Sequence, residues 1–543
     1  MNNILKSKGA ISRVQTVIVL ALIIIIAAVA GTYFAIPPKP PPPPPKVGET
    51  LLTMTYDDPT SLDPHITDTK QSMTTIANVY ETLLIYEGTE LRPQLAESYD
   101  VSSDGLVYTF RLKKGVKFHD GTAFNAQAVK FSFDRLMKLN KAPAALFVKV
   151  SACRVIDEYT VAFDMKEKYS PILSCFGASQ GLNVVSPKAV QDHEVGGDLA
   201  TKWMHENMVG TGPFKFVEWT RGVQVVMQRN LEYHKGWPQE RFLDKVVIKI
   251  VRDEATRALL LRKAEVDLNM REVSHQFATE LEVEPGIVLK RFLTYNIFVV
   301  CMNMLNEPLS DVRVRRAISY AWDYEGAIQR INGGHATRPY GIMPKGMLGY
   351  DESVPRYSYD PDRAKSILKD AGYKPGDIKL KMLYVSGLLY QQQVVEILDA
   401  NLAAIGIKLE ARAMTYPALV STMQDPDPKK RADLCTAYHM AFYLDPSCLM
   451  DTIFLPGMPL NFQGYDNKEV NAILNRASAI LDPAERATLY SKAMKVIVED
   501  APMIFAWQGQ APIAYRDYVY GVEYNPLRHN YILLYNVYIQ RRK

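Results

Sequence analysis

The sequence predicts a mixed α/β protein with an apolar segment and a proline-rich linker at its N-terminus. Its 543 residues are about four times the length of a typical domain, ~150 residues, so a single compact core is not expected. Short β-branched runs alternate with capped helical patterns along most of the chain. An uncharged run of twenty residues, 17–36, precedes this body and has a different composition.

The N-terminal segment has the features of a membrane anchor. Residues 1–16 carry positive charges, and residues 17–36 would form a helix about 30 Å long, which is enough to cross a bilayer. Because the positive charges come first, the body is expected on the outer face of the cell membrane. The alternative is a cleaved secretory signal peptide, with Ala28-Val29-Ala30 as a possible cleavage site.

A proline-rich linker follows at residues 37–46. Eight of the 33 prolines fall between positions 37 and 45. Because proline fixes φ and lacks an amide donor, this stretch is expected to form a polyproline II rod of about 28 Å. Such a rod would hold the body away from the membrane.

The charge distribution argues against nucleic-acid binding. The chain has a net charge of +4, but five basic residues and no acidic residue lie within positions 1–46. The remaining body therefore has 58 basic and 59 acidic residues, which is a net charge of about −1. A nucleic-acid-binding body would normally carry a basic excess or stripe.

Strand and helix signals alternate through the body. The runs 107–112 and 246–250 are rich in β-branched residues and predict strands. Helix starts are predicted where a capping side chain precedes an apolar helical pattern. The capping residues are Asn125, Asp311, Asp360 and Asp482.

Motifs for catalysis or metal binding are absent from the sequence. There is no H-E-x-x-H and no G-x-S-x-G, so neither an enzyme nor a cofactor or metal site is predicted. The stretch 210–215, G-T-G-P-F-K, lacks P-loop spacing and is predicted to be a structural turn. The stretch 119–122, H-D-G-T, contains an Asp-Gly turn signal and predicts a hairpin rather than an acid/base pair.

The five cysteines leave the disulfide pattern open. An odd number in an exported body requires at least one free thiol, and Cys301 fits this role because it lies in an apolar run. The remaining four could pair as Cys153–Cys175 and Cys435–Cys448, each closing a short loop. No C-x-x-C is present, so a zinc or redox site is not expected.

An ordered series of short blocks makes the body resemble the family 5 extracellular solute-binding proteins, the peptide, nickel and oligosaccharide receptors of ABC importers. The resemblance runs from about Thr53 to Ala501. Its blocks are P-T-S-L-D-P (59–64), N-V-Y-E-T-L-L (78–84), P-Q-L-A-E-S (93–98), D-G-L-V-Y-T-F (104–110), F-H-D-G-T (118–122), A-V-K-F-S-F (128–133), G-T-G-P-F-K (210–215), D-V-R-V-R-R-A (311–317) and A-G-Y (371–373).

The resemblance implies a two-lobed periplasmic-binding-protein-like fold of type II with an inserted subdomain. A small ligand would bind between the lobes, which close around it by a hinge motion, and the closed form would dock on the ABC permease subunits. No bond would be made or broken by this chain. The expected parts are 47–90 (first lobe), 91–204 (inserted subdomain), 205–290 (first lobe), 291–505 (second lobe) and 506–543 (first lobe).

The ligand class is left open by the sequence. Peptide receptors of the family typically bind the peptide amine with an Asp three residues before an Asp-Pro-like step. Here Phe442 stands three residues before Asp445-Pro446. Dipeptide receptors also offer an Arg near the segment 384–393, which carries no charge in this chain. We therefore expect a neutral oligosaccharide slightly ahead of a longer peptide, with a metal complex or another ligand as a further possibility.

Eleven residues are candidates for the ligand site. Aromatic rings with hydroxyl and amide groups suit sugar rings or peptide backbone, and an acid near the first strand could replace the missing amine anchor. Tyr438 and Phe442 could instead be core residues of a helix, because they lie four positions apart. An exported hydrolase and a surface scaffold without a ligand are the alternative function classes. The candidates are Asp57, Asp58, Thr60, Tyr384, Tyr390, Tyr438, His439, Phe442, Asp445, Trp507 and Gln508.

Overall fold

A computed structural model describes residues 50–67, 69–238, 242–271, 273–525, 527 and 532–540. The predicted positive segment 1–16, apolar segment 17–36 and linker 37–46 lie outside these residues, as does the possible cleavage site at Ala30. Within the described ranges, no helix combines the length and the apolar character needed to cross a membrane.

The described chain forms a mixed α/β body, as the sequence predicts. Its strands are β1 Leu51–Tyr56, β2 Leu84–Glu87, β3 Glu90–Pro93, β4 Ala96–Val101, β5 Val107–Leu112, β6 Val150–Asp157, β7 Thr160–Met165, β8 Phe214–Thr220, β9 Gln224–Arg229, β10 Lys245–Ile250, β11 Leu268–Asn269, β12 Ile287–Met302, β13 Lys379–Val385, β14 Lys408–Met414, β15 Leu434–Met440, β16 Met503–Arg516, β17 Val519–Tyr520 and β18 Tyr538–Ile539.

The helices alternate with these strands. They are α1 Lys70–Val79, α2 Ala126–Leu139, α3 Ile172–Phe176, α4 Pro187–His193, α5 Thr201–Met204, α6 Glu254–Arg262, α7 His275–Glu282, α8 Val312–Ala321, α9 Tyr324–Asn332, α10 Pro361–Asp370, α11 Leu389–Ala404, α12 Tyr416–Met423, α13 Ser447–Phe454, α14 Lys468–Ala479 and α15 Pro483–Asp500. Short 3₁₀ turns lie at Ala142–Phe147, Pro428–Lys430 and Leu534–Asn536.

A ten-stranded sheet runs through the body in the order β14-β13-β15-β12-β16-β11-β1-β10-β9-β8. We call β11, β1, β10, β9 and β8 the first half-sheet, and β14, β13 and β15 the second half-sheet. The long antiparallel strands β12 and β16 lie between them and serve both: β16 pairs with β11, and β12 pairs with β15. These are the crossover strands of the fold.

The register of the two crossover strands is interrupted at mid-length. Regular pairing runs from Ile287 to Leu293 and resumes at Ile297, with a second shift after Phe298. Such irregularities bend a strand and change its local twist. The interruption therefore lies where the chain passes from the first half-sheet to the second.

Separate hydrophobic cores stabilise the parts of the body. One core covers the first half-sheet, and two others cover the opposite faces of the second half-sheet around Val299 and Phe298. A further core belongs to an antiparallel four-stranded sheet in the order β4-β5-β7-β6. This small sheet lies inside the predicted inserted subdomain, 91–204, although the exact lobe boundaries remain a prediction.

The predicted helix caps are confirmed. Asn125 accepts a hydrogen bond from the Ala128 amide, and α2 buries Val129, Phe133 and Leu136. Three aspartates likewise accept amide hydrogen bonds in the first turn of α8, α10 and α15; they are Asp311, Asp360 and Asp482. The strands predicted at 107–112 and 246–250 correspond to β5 and β10.

The stretch 119–122 is a turn flanked by the antiparallel bridge between Lys117 and Ala123, as predicted, whereas 211–213 form a bend that leads into β8. Gly121 has φ +85° and follows Asp120, whose carboxylate accepts from the amide and hydroxyl of Thr122. A Cβ added at Gly210 would lie only 2.0 Å from the carbonyl oxygen of Val79. Gly210 is therefore required for the close approach of the chain to the end of α1.

The proposed disulfides are not formed. All five cysteines are buried free thiols. Cys435 lies opposite Cys301 across β12 and β15, and the sulfur of Cys448 accepts a hydrogen bond from the Phe442 amide. The pairings Cys153–Cys175 and Cys435–Cys448 were wrong because the fold places these residues in separate contacts inside the cores.

Candidate functional site

A cavity of about 370 Å³ lies over the crossover strands, at the interruption of their register. We call it the central cavity. The beginnings of α1 and α7 border it on one side, and the end of α9 with the beginning of α11 border it on the other. Its floor consists of β12, β16 and the carboxyl end of β15. Ligands of α/β proteins commonly bind beyond the carboxyl ends of strands, in cavities of this size.

Three predicted site residues meet in the central cavity. They are Tyr390 on α11, Tyr438 on β15 and Trp507 on β16. The Trp507 ring stacks on Phe298, with 4.4 Å between ring centroids and an interplanar angle of 11°. Tyr390 and Tyr438 have centroids 6.4 Å apart. Because Phe298 is completely buried, the aromatic wall has a rigid support.

The helical alternative for residues 438 and 442 was wrong. Tyr438 lies on strand β15, and Phe442 follows the strand in a short loop before α13. Successive side chains of a strand point to opposite faces of the sheet. Tyr438 points to the central cavity, whereas His439, which is paired with Ile297, points to the other face and is buried. His439 therefore does not line the cavity.

Four basic residues of the central cavity were missed in the sequence. They are Lys70, His275, Arg291 and His335, and they come from four different elements. Arg291 donates to a carboxylate oxygen of Glu282 at 2.8 Å. The His275 and His335 rings have centroids 5.5 Å apart, and burial, with contributions from Arg291 and His275, lowers the pKa of His335. The local signal was the pair of positive charges at Lys290 and Arg291 within a long, largely apolar strand.

Three buried polar atoms at the central cavity have no hydrogen-bond partner among the residues that the structure describes. They are Nη2 of Arg291, Oδ1 of Asn296 and Nδ2 of Asn332. An unpaired buried polar group costs about 1–3 kcal/mol. Ligand groups or bound water could supply the missing partners.

Phe442 lies at a different cavity of about 800 Å³. This lateral cavity is bordered by the four-stranded subdomain on one side and by α13 and α14 on the other, and its lining includes Tyr169, Tyr443 and Ser478. The Phe442 carbonyl accepts a hydrogen bond from Gln180 at 3.0 Å. Asp451 also lines this cavity, and burial raises the pKa of its carboxyl group to about 7.

The three candidate residues that follow β1 form hydrogen bonds or ion pairs with other residues of the body. Asp57 forms an ion pair with Arg271, with 3.1 Å between Oδ1 and Nε. Asp58 accepts hydrogen bonds from Trp219 Nε1 and from the Gly222 amide. Thr60 is hydrogen-bonded within a cluster of hydroxyl groups. None of these three lines the central cavity, so an amine-binding role for either aspartate is not supported by these contacts.

Asp445 and Gln508 have structural partners that account for their side chains. The two Asp445 oxygens accept from Nη1 and Nη2 of Arg486, each at 2.7 Å, in a buried ion pair. Gln508 donates to the Thr294 carbonyl and accepts from the Lys345 amide. It thereby bridges the interrupted register. Tyr384 is the penultimate residue of β13 and lines neither cavity.

The comparisons with known proteins identify the family. The model of "Bacterial extracellular solute-binding proteins, family 5 Middle" matches residues 90–458. This chain belongs to that family.

Curated relatives share most of its length. The "Probable D,D-dipeptide-binding periplasmic protein DdpA" of Escherichia coli K12 is 29% identical over 479 residues, covering 87% of this chain and 90% of the relative. The "Glutathione-binding protein GsiB" of Pectobacterium atrosepticum is 30% identical over 457 residues, covering 82% and 86%.

A solved structure gives the same result for the fold. The periplasmic binding protein DppA of Helicobacter pylori, determined in complex with the peptide STSA, has a TM-score of 0.75 and 27% identity. The similarity covers 91% of this chain and 98% of that protein. The periplasmic-binding-protein-like fold expected from the sequence blocks is thus confirmed.

Proposed function

We propose that this chain is the substrate receptor of an ABC importer, that it captures a peptide in the central cavity by closure of two lobes, and that it delivers the peptide to the permease. The observation that carries the proposal is the position of the central cavity. Its walls come from α1 and α7 of the predicted first lobe and from α9, α11 and β15 of the predicted second lobe, so a ligand there would contact both lobes at once.

Closure would require bending at the crossover strands. The interrupted register between Leu293 and Ile297 lies in the floor of the cavity, and side-chain hydrogen bonds of Thr294 and Gln508 span it. A ligand that binds the closed arrangement better shifts the equilibrium by its differential affinity. We propose that 47–90, 205–290 and 506–543 move as one lobe with the inserted subdomain 91–204, against 291–505.

A peptide is favoured over an oligosaccharide. The aromatic wall of Tyr390, Tyr438 and Trp507 would accept either ligand, so it does not decide the question. The names of the relatives refer to D,D-dipeptide and glutathione, and the solved relative holds the peptide STSA. The slight preference for an oligosaccharide drawn from the sequence is not supported by these comparisons.

Affinity capture with competing ligand pools would test the function. The full chain is immobilised and incubated with random tetrapeptides and neutral malto-oligosaccharides in one mixture, and the retained molecules are identified by mass spectrometry. We expect intact peptides. Retention of sugars would contradict the peptide assignment, shortened peptides would indicate a hydrolase, and retention of nothing would indicate a scaffold.

A matched pair of tyrosine variants tests the site. Tyr390→Ala removes part of the cavity wall and should lower peptide retention about tenfold, the equivalent of 1.4 kcal/mol. Tyr416→Ala removes the same group from the surface of α12, where 58% of the residue is exposed, and should change nothing. Equal retention by both variants would show that the ligand binds elsewhere.

The N-terminal segment is proposed to anchor the receptor at the outer face of the membrane, with residues 37–46 as the spacer. The chain should then stay in the membrane fraction at high salt and be released by detergent. Deletion of residues 1–36 should abolish this retention, provided export is restored with a cleavable signal. A wild-type chain found entirely in the soluble fraction would instead support the cleaved signal peptide.

A further inference from the structure

We infer that the central cavity selects ligands that carry a carboxylate, and that Arg291 determines this selectivity. The inference rests on the proposed function and makes it more specific, because the same cavity is proposed to hold a peptide. The chemistry concerned is a carboxylate, which a peptide can offer at its C-terminus or in a Glu or Asp side chain.

The charge of the cavity carries the inference. Among the described residues that line it, Lys70 and Arg291 are positively charged and none is acidic, while the two histidines, His275 and His335, add positive charge only when protonated. The body as a whole has nearly equal numbers of basic and acidic residues. A concave site with charges of one sign in a low-dielectric wall concentrates ligands of the opposite sign. The segment 384–393 is uncharged, so these charges come from parts of the chain remote from it.

Arg291 is the best placed of the four. It lies on crossover strand β12, and its side chain is only 12% exposed. Among the described residues, it forms an ion pair with Glu282, whose side chain is 48% exposed and is therefore well hydrated. The second terminal nitrogen, Nη2, is buried without a partner. A guanidinium pairs best with a carboxylate through two parallel hydrogen bonds, so Arg291 retains unused capacity for an acceptor.

A second unused donor lies on the opposite side of the cavity. Nδ2 of Asn332, at the end of α9, is buried and unpaired, and His335 follows in the next loop. Arg291 and Asn332 therefore contribute donors from β12 and from the second half of the fold. A carboxylate bound between them would connect the crossover strand β12 to α9, and its contact with Lys70 or His275 of the first lobe would make its binding energy favour closure.

Four matched peptide pools test this selectivity. Random tetrapeptide pools are prepared with or without acidic residues, and each is made with a free C-terminal carboxylate or a C-terminal amide. We expect the amidated pool without acidic residues to be retained at least tenfold less than the others. One pool carries only a C-terminal carboxylate, and another carries only acidic side chains. If these two pools are retained differently, the better-retained one identifies which carboxylate binds.

The outcomes separate the two proposals. Equal retention of all four pools would overturn the carboxylate inference and leave the peptide receptor intact. Retention of no pool would contradict the proposed function itself, and the inference with it. Retention of the neutral amidated pool alone would also overturn the inference.

Variants of β12 assign the effect to one residue. Arg291→Gln should reduce retention of the carboxylate pools about tenfold, and Arg291→Lys should restore part of it. Lys290→Gln makes the same change of charge on the adjacent, exposed position of the same strand and should have no effect. Equal behaviour of Arg291→Gln and Lys290→Gln would overturn the assignment. If Arg291→Gln does not fold, Lys70→Gln should reduce the preference for carboxylate pools.

Discussion

At the scale of single residues, the contacts decide between structural and ligand-binding roles that look alike in the sequence. Asp445 belongs to the Asp-Pro step that marks the site region of the family, yet its carboxylate is fully used by Arg486. Arg291, by contrast, belongs to no motif and retains an unpaired donor beside the central cavity. Asp445 and Arg486 are 41 residues apart, so the local sequence around either one does not show that they form an ion pair.

Asp445→Asn should destabilise the fold. The pair with Arg486 is buried, and removing one partner leaves an uncompensated charge, which costs about 3–5 kcal/mol. Urea unfolding measures this cost. The exposed pair Arg476–Glu485 provides the control, since Glu485→Gln should cost less than about 1 kcal/mol. A stable Asp445→Asn variant that has lost peptide binding would instead make Asp445 a ligand residue.

Asp451→Asn should change the dependence of stability on pH. Burial raises the pKa of Asp451 to about 7, above its unfolded value near 4, so the folded state holds its proton more tightly. Stability is therefore lost as pH rises from about 4 to 7. The variant should be more stable than the wild type at pH 8, by up to about 4 kcal/mol, and show little difference at pH 4.

Thermal or urea unfolding at the two pH values measures this difference. Asp433→Asn provides a comparison. Burial also raises the pKa of Asp433, so this variant should show a pH dependence in the same direction. If Asp451→Asn is equally destabilised at both pH values, the hydrogen bond from Ser478 outweighs the cost of burying the charge.

At the scale of elements, the crossover strands carry both the hinge and the floor of the site. The helices were predictable because their capping residues precede apolar patterns, as in α2 and α15. The central cavity was only partly predictable. Tyr390, Tyr438 and Trp507 were found from their family position, but Lys70 and His335 meet in space through pairings that connect distant segments. Periodicity describes one element at a time and cannot supply those pairings.

Gly509→Ala should disturb the aromatic wall without disrupting β16. A Cβ at this position would lie 2.4 Å from the hydroxyl oxygen of Tyr438, so the ring must move. We expect peptide retention to fall several-fold while the unfolding midpoint changes little. The double variant Gly509→Ala/Tyr438→Phe removes the clashing oxygen and should recover much of the retention, which a double-mutant cycle would show as coupling. Additive losses would mean that the two positions act separately.

At the scale of the whole molecule, the cores rather than covalent links hold the parts together. Cys153, Cys175 and Cys448 belong to the core of the four-stranded subdomain, while Cys301 and Cys435 belong to a core of the second half-sheet. The count of cysteines allowed two disulfides, because loop length alone cannot show where the thiols lie. Burial raises the pKa of Cys153 to about 12 and also raises that of Cys175, which keeps these two thiols in the unreactive protonated form.

The stability of the folded chain should therefore not depend on reductant. A bridge between Cys153 and Cys175 would close a loop of a little over 20 residues and would add about 3 kcal/mol by the chain-entropy model. We expect urea midpoints with and without a phosphine reductant to agree within about 0.5 kcal/mol. A thiol reagent should label none of the five cysteines in the native protein and all five in urea. A loss of several kcal/mol on reduction, with fewer than five thiols in urea, would show that a bridge forms after all.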